Sequence, residues 1–302
     1  MTGLPIHEVA ALAAALCWAI TGLMSATPVA QLGPFGFNLI RQSMVTVMLG
    51  AFVLATGSWV GTDWSGVGPL ILSGLVGILA GDTMLFFALR RLGPRRTGAM
   101  FALNAPIAAL AGWAFLDERL STAAVIGVAA CAVGVAMAVL GRPGRSGSHR
   151  FEAMQGPVWQ GVAFGLLAAA GQAAGSLIAR PVMAAGFDPA LGSLIRVAIA
   201  VVGLALLMGV FHRLPVARIQ GRPTAALLMQ IAASGFIAMA VGMTLLLFAL
   251  QGGKVGIVST LSALSPVLIL PVLWAITGAR PSGTSWGGAL IAAAGMALIF
   301  LR

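Results

Sequence analysis

Apolar segments run along almost the whole chain and are separated by short polar connections. Each is about 18–25 residues long, the length at which a helix crosses the hydrocarbon core of a bilayer. Polar and apolar residues do not alternate within them, which argues against the strands of a membrane β-barrel. The pattern predicts an all-α integral membrane protein with ten transmembrane helices, at 9–26, 35–56, 69–89, 97–116, 122–140, 157–179, 189–211, 225–250, 255–277 and 285–301.

The composition agrees with a chain surrounded by lipid. Hydrophobic residues make up 60% of the chain and charged residues only 8%, whereas soluble domains carry about 25% charged residues. The mean hydropathy is +1.03. The longest polar stretches, 141–156 and 212–224, leave no room for a soluble domain, so we expect the bilayer to be the main partner.

The net charge of +10 comes from cations clustered near helix ends. Cations at these positions orient a protein in the bilayer, and we expect no nucleic-acid partner. Outside the predicted helices, one set of alternate connections carries most of the cations: Arg90, Arg91, Arg95, Arg96, Arg142, Arg145, Arg150, Arg213, Arg218, Arg222 and Arg280. The opposite set, which includes both termini, carries Arg119, Arg180, Lys254 and Arg302. Since cationic loops stay in the cytoplasm, both termini are predicted to lie outside.

The chain also repeats itself. Residues 32–41 read LGPFGFNLIR and residues 187–196 read FDPALGSLIR, each with a proline seven residues before an arginine. Farther on, GDTMLFFALRRLG at 81–93 matches GMTLLLFALQGG at 242–253. These matches occur in the same order along the chain, as expected for two copies of one unit.

The repeat predicts two five-helix halves, 1–141 and 156–302, joined by a polar loop at 142–155. Because five is odd, the second half enters the membrane from the opposite side, so the halves are inverted copies. Inverted halves around a central cavity suit alternating access in transporters. Duplication is also a simple way to build a helical bundle, and some channels contain repeats.

These motifs resemble the drug/metabolite transporter superfamily in its ten-helix EamA-domain form. The resemblance rests on the Gly-x-Thr-x-x-x-Phe-Ala-Leu stretch, a proline-broken fourth helix and the acidic segment Asp117-Glu118-Arg119-Leu120-Ser121. Within the superfamily the chain looks most like YddG-type bacterial amino-acid exporters. The resemblance implies a basket of ten helices in the bacterial cytoplasmic (inner) membrane, which exports small metabolites, often amino acids. Thr277-Gly278-Ala279-Arg280 replaces the acidic segment in the second half, so Glu118 stands alone.

Ionisable side chains inside the membrane are costly and mark candidate functional sites. Arg41 and Arg196 occupy equivalent positions in the second and seventh helices. Either they bind nearby carbonyls or snorkel to the interface, or at least one receives a substrate carboxylate in the cavity. Asp82 is the only acid deep in a predicted helix, and its repeat partner is Met243. Three roles for Asp82 stay open, namely pairing with an arginine, attracting an ammonium group or carrying a proton, and Phe86 lies one turn later on the same face.

Small and polar residues form a stripe on the first and sixth helices. The stripe consists of Trp18, Thr21, Gly22 and Ser25 on one helix, and Gln172, Gly175, Ser176 and Ala179 on the other. Glycines spaced in this way allow close helix packing. Trp18 and Gln172 are too bulky for that, so we expect both to face the cavity.

Prolines interrupt the fourth and ninth helices at Pro106 and Pro266. Each removes a backbone donor and disrupts the bond to the carbonyl four residues earlier, at Ala102 or Ser262. A freed carbonyl at the midplane accepts an ammonium or hydroxyl group in some transporters. The alternative is a kink whose carbonyl is satisfied locally, and Asn104 suits either role.

The sequence gives no sign of an enzyme. His7, His149 and His212 fall at or outside helix ends, and no phosphate-binding or metalloprotease motif is present. Cys17 and Cys131 lie within helices without metal-ligand spacing. We therefore predict no catalytic residues, no metal and no cofactor.

A secondary carrier remains, with a channel as the alternative from a different class. A zwitterionic amino acid fits a site that holds arginines, an acid and apolar lining such as Phe86, Phe101 and Trp18. Multidrug, nucleotide-sugar and organic-anion transport are the alternatives within the same fold. A chain that contains both halves is able to work as a monomer, but its oligomeric state and proton coupling through Asp82 both stay open.

Overall fold

The structure is a computed structural model that describes residues 5–140, 157–265, 267–268 and 282–300. All regular elements within these ranges are helical. The predicted connecting loop at 142–155, together with Pro266, lies outside the described residues.

In the described part of the first half the α-helices are α1 to α5, at Ile6–Thr56, Val67–Gly74, Thr83–Phe101, Asn104–Leu116 and Thr122–Leu140. In the second half they are α6 to α11, at Val158–Ala184, Pro189–Val210, Ala225–Gly235, Thr244–Gly252, Val255–Ser262 and Gly283–Phe300. Two π-helical segments interrupt them, π1 at Leu75–Asp82 and π2 at Phe236–Met243. Short 3₁₀ turns occur at Trp64–Gly66 and Pro215–Ala217. In the described ranges, five stretches are long and apolar enough to cross a membrane, namely Met24–Thr56, Trp64–Gly93, Val158–Ala184, Pro189–Val210 and Ala225–Gly252.

Two of the predicted loops are reduced to a single residue. Gly33 within α1 and Gly93 within α3 both have φ of 76°, a conformation that favours glycine. A proline follows each, Pro34 and Pro94, and cannot donate a backbone hydrogen bond. The chain changes direction at each Gly-Pro pair, and helical residues continue on both sides.

The π-helical segments extend the sequence repeat to a local irregularity of the backbone. From Leu75 to Phe236 and from Asp82 to Met243 the offset is the same, 161 residues. Each segment interrupts one of the long apolar stretches. π turns are rare in helices overall, but those that occur often lie at functional sites. The helix breaks at 102–103 and 263–264 follow the same offset. The copies therefore share their distortions as well as their helices.

The halves begin at opposite ends of the bundle. At one end α1 begins, with His7 Nδ1 3.0 Å from the carbonyl oxygen of Phe248 on α9. At the same end the first N–H of α10 donates to Glu118, which follows α4. α6 begins at the other end, where a Cβ atom on Gly161 would lie 2.6 Å from Leu92, beside the kink in α3. This is the arrangement of an inverted repeat.

Small residues allow the last helices of the two halves to pack backbone against backbone. A Cβ atom on Gly134 of α5 would lie 2.5 Å from the carbonyl oxygen of Gly288 on α11. Large apolar side chains instead cover the outer surface, as at Val47 and Phe115, which are 72% and 77% exposed. Such exposure is expected where lipid takes the place of water.

Candidate functional site

A buried ion pair joins α1 to the end of π1. Arg41 Nη2 donates to Asp82 Oδ2 at 2.8 Å, and both side chains are buried. Gln42 Nε2 donates to the same carboxylate oxygen at 3.3 Å. Of the three roles considered for Asp82, the structure shows pairing with an arginine.

Aromatic rings enclose the guanidinium group of Arg41. Its Cζ lies 4.7 Å from the ring centroid of Phe86 and 5.3 Å from that of Phe37. The two rings meet edge to face, with centroids 4.9 Å apart. Phe86 is buried and therefore supports Arg41 in this conformation.

A second polar contact lies beside the ion pair. Asn38 Nδ2 donates to Thr83 Oγ1 at 3.1 Å, and Gln42 Nε2 donates to Asn38 Oδ1 at 3.2 Å. The predicted site residues did not include Asn38, Gln42 and Thr83. A signal was available for the first two, because they stand within the predicted second helix one turn apart, next to Arg41.

The second half repeats this arrangement without the acid. Arg196 Nη1 donates to the sulfur of Met243 at 3.1 Å, where the first half has Arg41 and Asp82. Thr244 Oγ1 donates to Ser193 Oγ at 3.1 Å, where the first half has Thr83 and Asn38. The two copies therefore differ at the position where the first half has its buried anion.

Arg196 is the largest fully buried side chain among the described residues, with 0% exposure. Its Nε and Nη2 atoms have no hydrogen-bond partner in the described part of the chain. Arg41 pairs with Asp82, whereas the described residues offer Arg196 no carboxylate within ion-pair distance. These three buried side chains therefore carry one more positive than negative charge.

α6 packs directly against π1 through glycines. A Cβ atom on Gly171 would lie 2.9 Å from the Cα of Gly81, and one on Gly175 would lie 2.9 Å from the Cα of Gly77. A Cβ atom on Gly77 would also lie 3.1 Å from Arg196 Nη2. Gly175 of the α6 stripe thus serves close packing, whereas Gly22 of the α1 stripe has open space around it. π1 lies against α6 on one side and Arg196 on the other.

Two larger residues of the α6 stripe are buried beside these glycines. Gln172 is 5% exposed, so its side chain is enclosed in this conformation. Ser176 is 1% exposed, and its hydroxyl has no hydrogen-bond partner among the described residues. Both lie in α6 next to the glycines that contact π1.

On α1 the corresponding stripe lies against π2. Trp18 is half-buried and its indole N–H donates to the carbonyl oxygen of Ala238 at 2.9 Å. Thr21 and Ser25 are buried, and their hydroxyls donate to α1 carbonyls at Cys17 and Thr21. The two hydroxyls therefore satisfy backbone acceptors of their own helix.

The helix breaks near the prolines satisfy their carbonyls locally. The Ala102 carbonyl accepts from the N–H of Ala105 at 3.2 Å, and Asn104 Nδ2 donates to the carbonyl of Phe101 at 2.7 Å. In the second half Ser265 donates to the carbonyl of Ser262 at 3.1 Å. Of the two roles considered for these carbonyls, local satisfaction is the one the geometry displays; Phe101 is half-buried beside the break.

A contact between the halves lies at the end of the bundle where α1 begins. Glu118 Oε2 accepts from the backbone N–H of Val255 at 2.7 Å, and Glu118 Oε1 lies 3.3 Å from Arg180 Nε. Lys254 Nζ donates to the carbonyl of Arg119. Glu118 therefore caps α10 and pairs with α6, both in the other half.

No metal site is evident in the described ranges, since no three His, Cys, Asp or Glu side chains there could hold an ion together.

The comparison with protein families matches both halves of the chain. The model of the EamA-like transporter family covers residues 6–140 and again residues 159–301. The chain belongs to the EamA-like transporter family. This EamA protein is thus a multi-pass membrane protein of the drug/metabolite transporter superfamily, built from two repeats, in a family whose members are transporters and not enzymes.

A comparison of folds agrees with that of families. A protein known by its crystal structure matches the EamA chain with a TM-score of 0.77 at 20% sequence identity. The match covers 98% of this chain and 96% of that chain, so the likeness extends over the whole fold. A search of curated protein sequences finds no match.

Proposed function

We propose that this EamA protein is a secondary transporter that exports amino acids, including aromatic ones, by alternating access. It would work in the bacterial cytoplasmic membrane as a YddG-type exporter, with both termini outside, and as a monomer. The halves would be residues 1–141 and 156–302, joined by the loop at 142–155. The observation that carries the proposal is the buried cluster of Arg41, Asp82 and Arg196 within the bundle.

Charges of both signs in this cluster favour a zwitterion. Ionisable groups inside a membrane protein are costly and mark substrate pathways. A lipophilic cation would add to the excess positive charge of the cluster, whereas a zwitterion adds no net charge to it. Two arginines are also few for a phosphorylated sugar. The amino group of an amino acid would approach Asp82, and its carboxylate an arginine.

The relation between the halves supports alternating access. The contacts Arg41–Asp82 and Arg196–Met243 are equivalent in position and unequal in chemistry. When two similar halves differ in conformation, each is able to adopt the conformation of the other. That exchange opens a site at the membrane midplane first to one side of the membrane and then to the other. The breaks near Pro106 and Pro266 would shape that path. The polar residues proposed to line it are Trp18, Thr21, Ser25, Gln172 and Ser176 of the two stripes, together with Ser262 beside the second break.

Counterflow in liposomes tests the proposal. Vesicles that contain the purified protein are loaded with one unlabelled L-amino acid and diluted into a trace of the same labelled amino acid, for a panel that includes L-phenylalanine. We expect transient accumulation of the label for at least one amino acid. Accumulation requires a carrier, because a channel gives no trans-stimulation. Met229→Leu, on the exposed side of α8, serves as the control variant and should transport normally.

Three outcomes contradict the proposal. If folded protein gives no counterflow with any amino acid, the proposed substrate class is wrong. Flux that is not stimulated by internal amino acid indicates a channel. Counterflow restricted to lipophilic cations or nucleotide sugars assigns the chain to another branch of the superfamily.

A further inference from the structure

The two halves of the molecule give one buried arginine a carboxylate and leave the other without one. Nε of Arg41 also lacks a hydrogen-bond partner among the described residues, but only Arg196 has both Nε and Nη2 unpartnered. Arg41 has a carboxylate at 2.8 Å, whereas the equivalent Arg196 meets the thioether of Met243 at 3.1 Å. A thioether sulfur is a weak acceptor and carries no charge. The hydrogen bond between Thr244 and Ser193 occupies the place that the Asn38–Thr83 hydrogen bond has in the first half. The two copies therefore share this polar contact, and the second copy lacks only the anion beside its arginine.

The unpaired atoms of Arg196 have a specific geometry. Nε and Nη2 lack partners in the described ranges, while Nη1 is engaged. In a planar guanidinium group, the N–H of Nε and one N–H of Nη2 point in parallel along one edge. That edge matches the two oxygens of a carboxylate in a bidentate contact. A fully buried edge of this kind is costly to leave empty.

Glycine at position 77 keeps this edge close to π1. A Cβ atom there would lie 3.1 Å from Nη2, tighter than ordinary side-chain contacts. The absence of a side chain at Gly77 lets the guanidinium group lie against a segment whose backbone departs from α-helical bonding. Arg196 is therefore held at the point where π1, α6 and α7 meet.

We propose that the Nε–Nη2 edge of Arg196 binds the carboxylate of the transported amino acid. The ligand carboxylate then pairs with Arg196 as Asp82 pairs with Arg41. It also neutralises the excess positive charge of the cluster. This inference rests on the proposed function and adds to it the atoms that recognise the substrate. Because Arg196 is fully buried in this conformation, the ligand reaches the edge when α7 and π1 separate.

Chloride would also neutralise the charge, but a single spherical ion does not use the parallel geometry of the two donors. The proposal therefore commits to a carboxylate.

The test replaces the missing acid. Met243→Asp places a carboxylate at the position equivalent to Asp82, where it pairs with Arg196 and competes with the ligand. Met243→Asn is the matched control, since it has nearly the same shape without the charge. Binding is measured in detergent-purified protein from the rise in melting temperature with L-phenylalanine, with L-phenylalaninamide and with sodium chloride at equal ionic strength.

The wild type should bind L-phenylalanine at least about tenfold more tightly than the amide, the effect of losing a charged hydrogen bond. Met243→Asp should bind the acid at least about tenfold more weakly than the wild type, and Met243→Asn should retain most of the affinity. Arg196→Gln provides a second route if Met243→Asp does not fold, and should bind the acid and the amide alike.

Equal binding of acid and amide by the wild type overturns the inference, as does equal weakening by Met243→Asp and Met243→Asn. Stabilisation by chloride to the same degree as by the amino acid also overturns it, in favour of an inorganic anion. These measurements do not require transport. If counterflow succeeds but the acid and the amide bind alike, the inference about Arg196 is refuted and the proposed function stands. If the acid binds more tightly than the amide but counterflow fails, the proposed transport is refuted and the binding site stands.

Discussion

The excess charge of the buried cluster predicts an unusual order of stabilities. Asp82→Asn removes the one carboxylate that pairs with Arg41 among the described residues, and leaves the buried guanidinium groups of Arg41 and Arg196 without a counter-charge there. Arg41→Gln removes one of the two cations, and leaves Asp82 with Gln42 and the charge of Arg196. We therefore expect Asp82→Asn to be the more destabilising of the two substitutions, although each breaks the same ion pair.

The geometry sets the size of the effect. At 2.8 Å, Coulomb's law gives a gross attraction of about 6 kcal/mol at an effective dielectric constant of about 20. Desolvation of both groups offsets part of this attraction, and removing one partner of a buried pair costs about 3–5 kcal/mol. Asp82→Asn should fall in that range. Arg41→Gln should cost about 1.5–3 kcal/mol, the value of a hydrogen bond to a charged group.

The free energy of unfolding is measured by SDS titration in mixed micelles, with helix content followed by circular dichroism. The double variant Arg41→Gln/Asp82→Asn is the control for charge, because it retains one buried cation, and it should be more stable than Asp82→Asn alone. Equal costs for Arg41→Gln and Asp82→Asn would contradict this prediction, since Arg196 would then contribute nothing to balancing the charge of Asp82.

Three further predictions concern packing and capping, each measured by the same titration. Gly134→Ala should cost about 1–3 kcal/mol because the new methyl group meets the backbone of α11, while Gly209→Ala, which has open space around it, should cost nothing; equal effects would contradict the packing. Glu118→Gln should cost about 1–2 kcal/mol through loss of charge at the start of α10, and an unchanged stability would show that this cap contributes nothing. Trp18→Phe should cost about 1 kcal/mol by removing the hydrogen bond to Ala238, whereas a neutral result would mean that the indole N–H is equally well satisfied elsewhere.

Much of the fold followed from simple patterns. Apolar length predicted membrane-spanning helices, and ordered matches predicted two copies, which the family comparison bears out. The repeat alignment also placed Met243 opposite Asp82, and the shared π-helical segments end on these two residues. Such features depend on chain length, composition and local spacing, which a single sequence displays directly.

Local backbone distortion was harder to predict. Nothing in the apolar periodicity distinguished π1 and π2 from ordinary α-helix, because a π turn shifts the register of one face by a single residue. The turns at Gly33 and Gly93 were expected as loops, although Leu-Gly-Pro occurs at both places. A glycine with positive φ followed by proline is enough to redirect a helix, so no further residues are needed.

The amino-acid sequence is enough to predict a duplicated helical membrane protein with two equivalent arginines and one acid that has no counterpart in the second copy. The three-dimensional arrangement is needed to show that the acid pairs with Arg41, that Gln42 donates to the same carboxylate, and that Gln172 is buried beside the glycines that contact π1. Partners across helices depend on how the helices rotate and how closely they approach, and no spacing along one helix encodes that. Arg196 remains the surplus cation because the second copy brings a methionine sulfur, and no carboxylate, to the equivalent place.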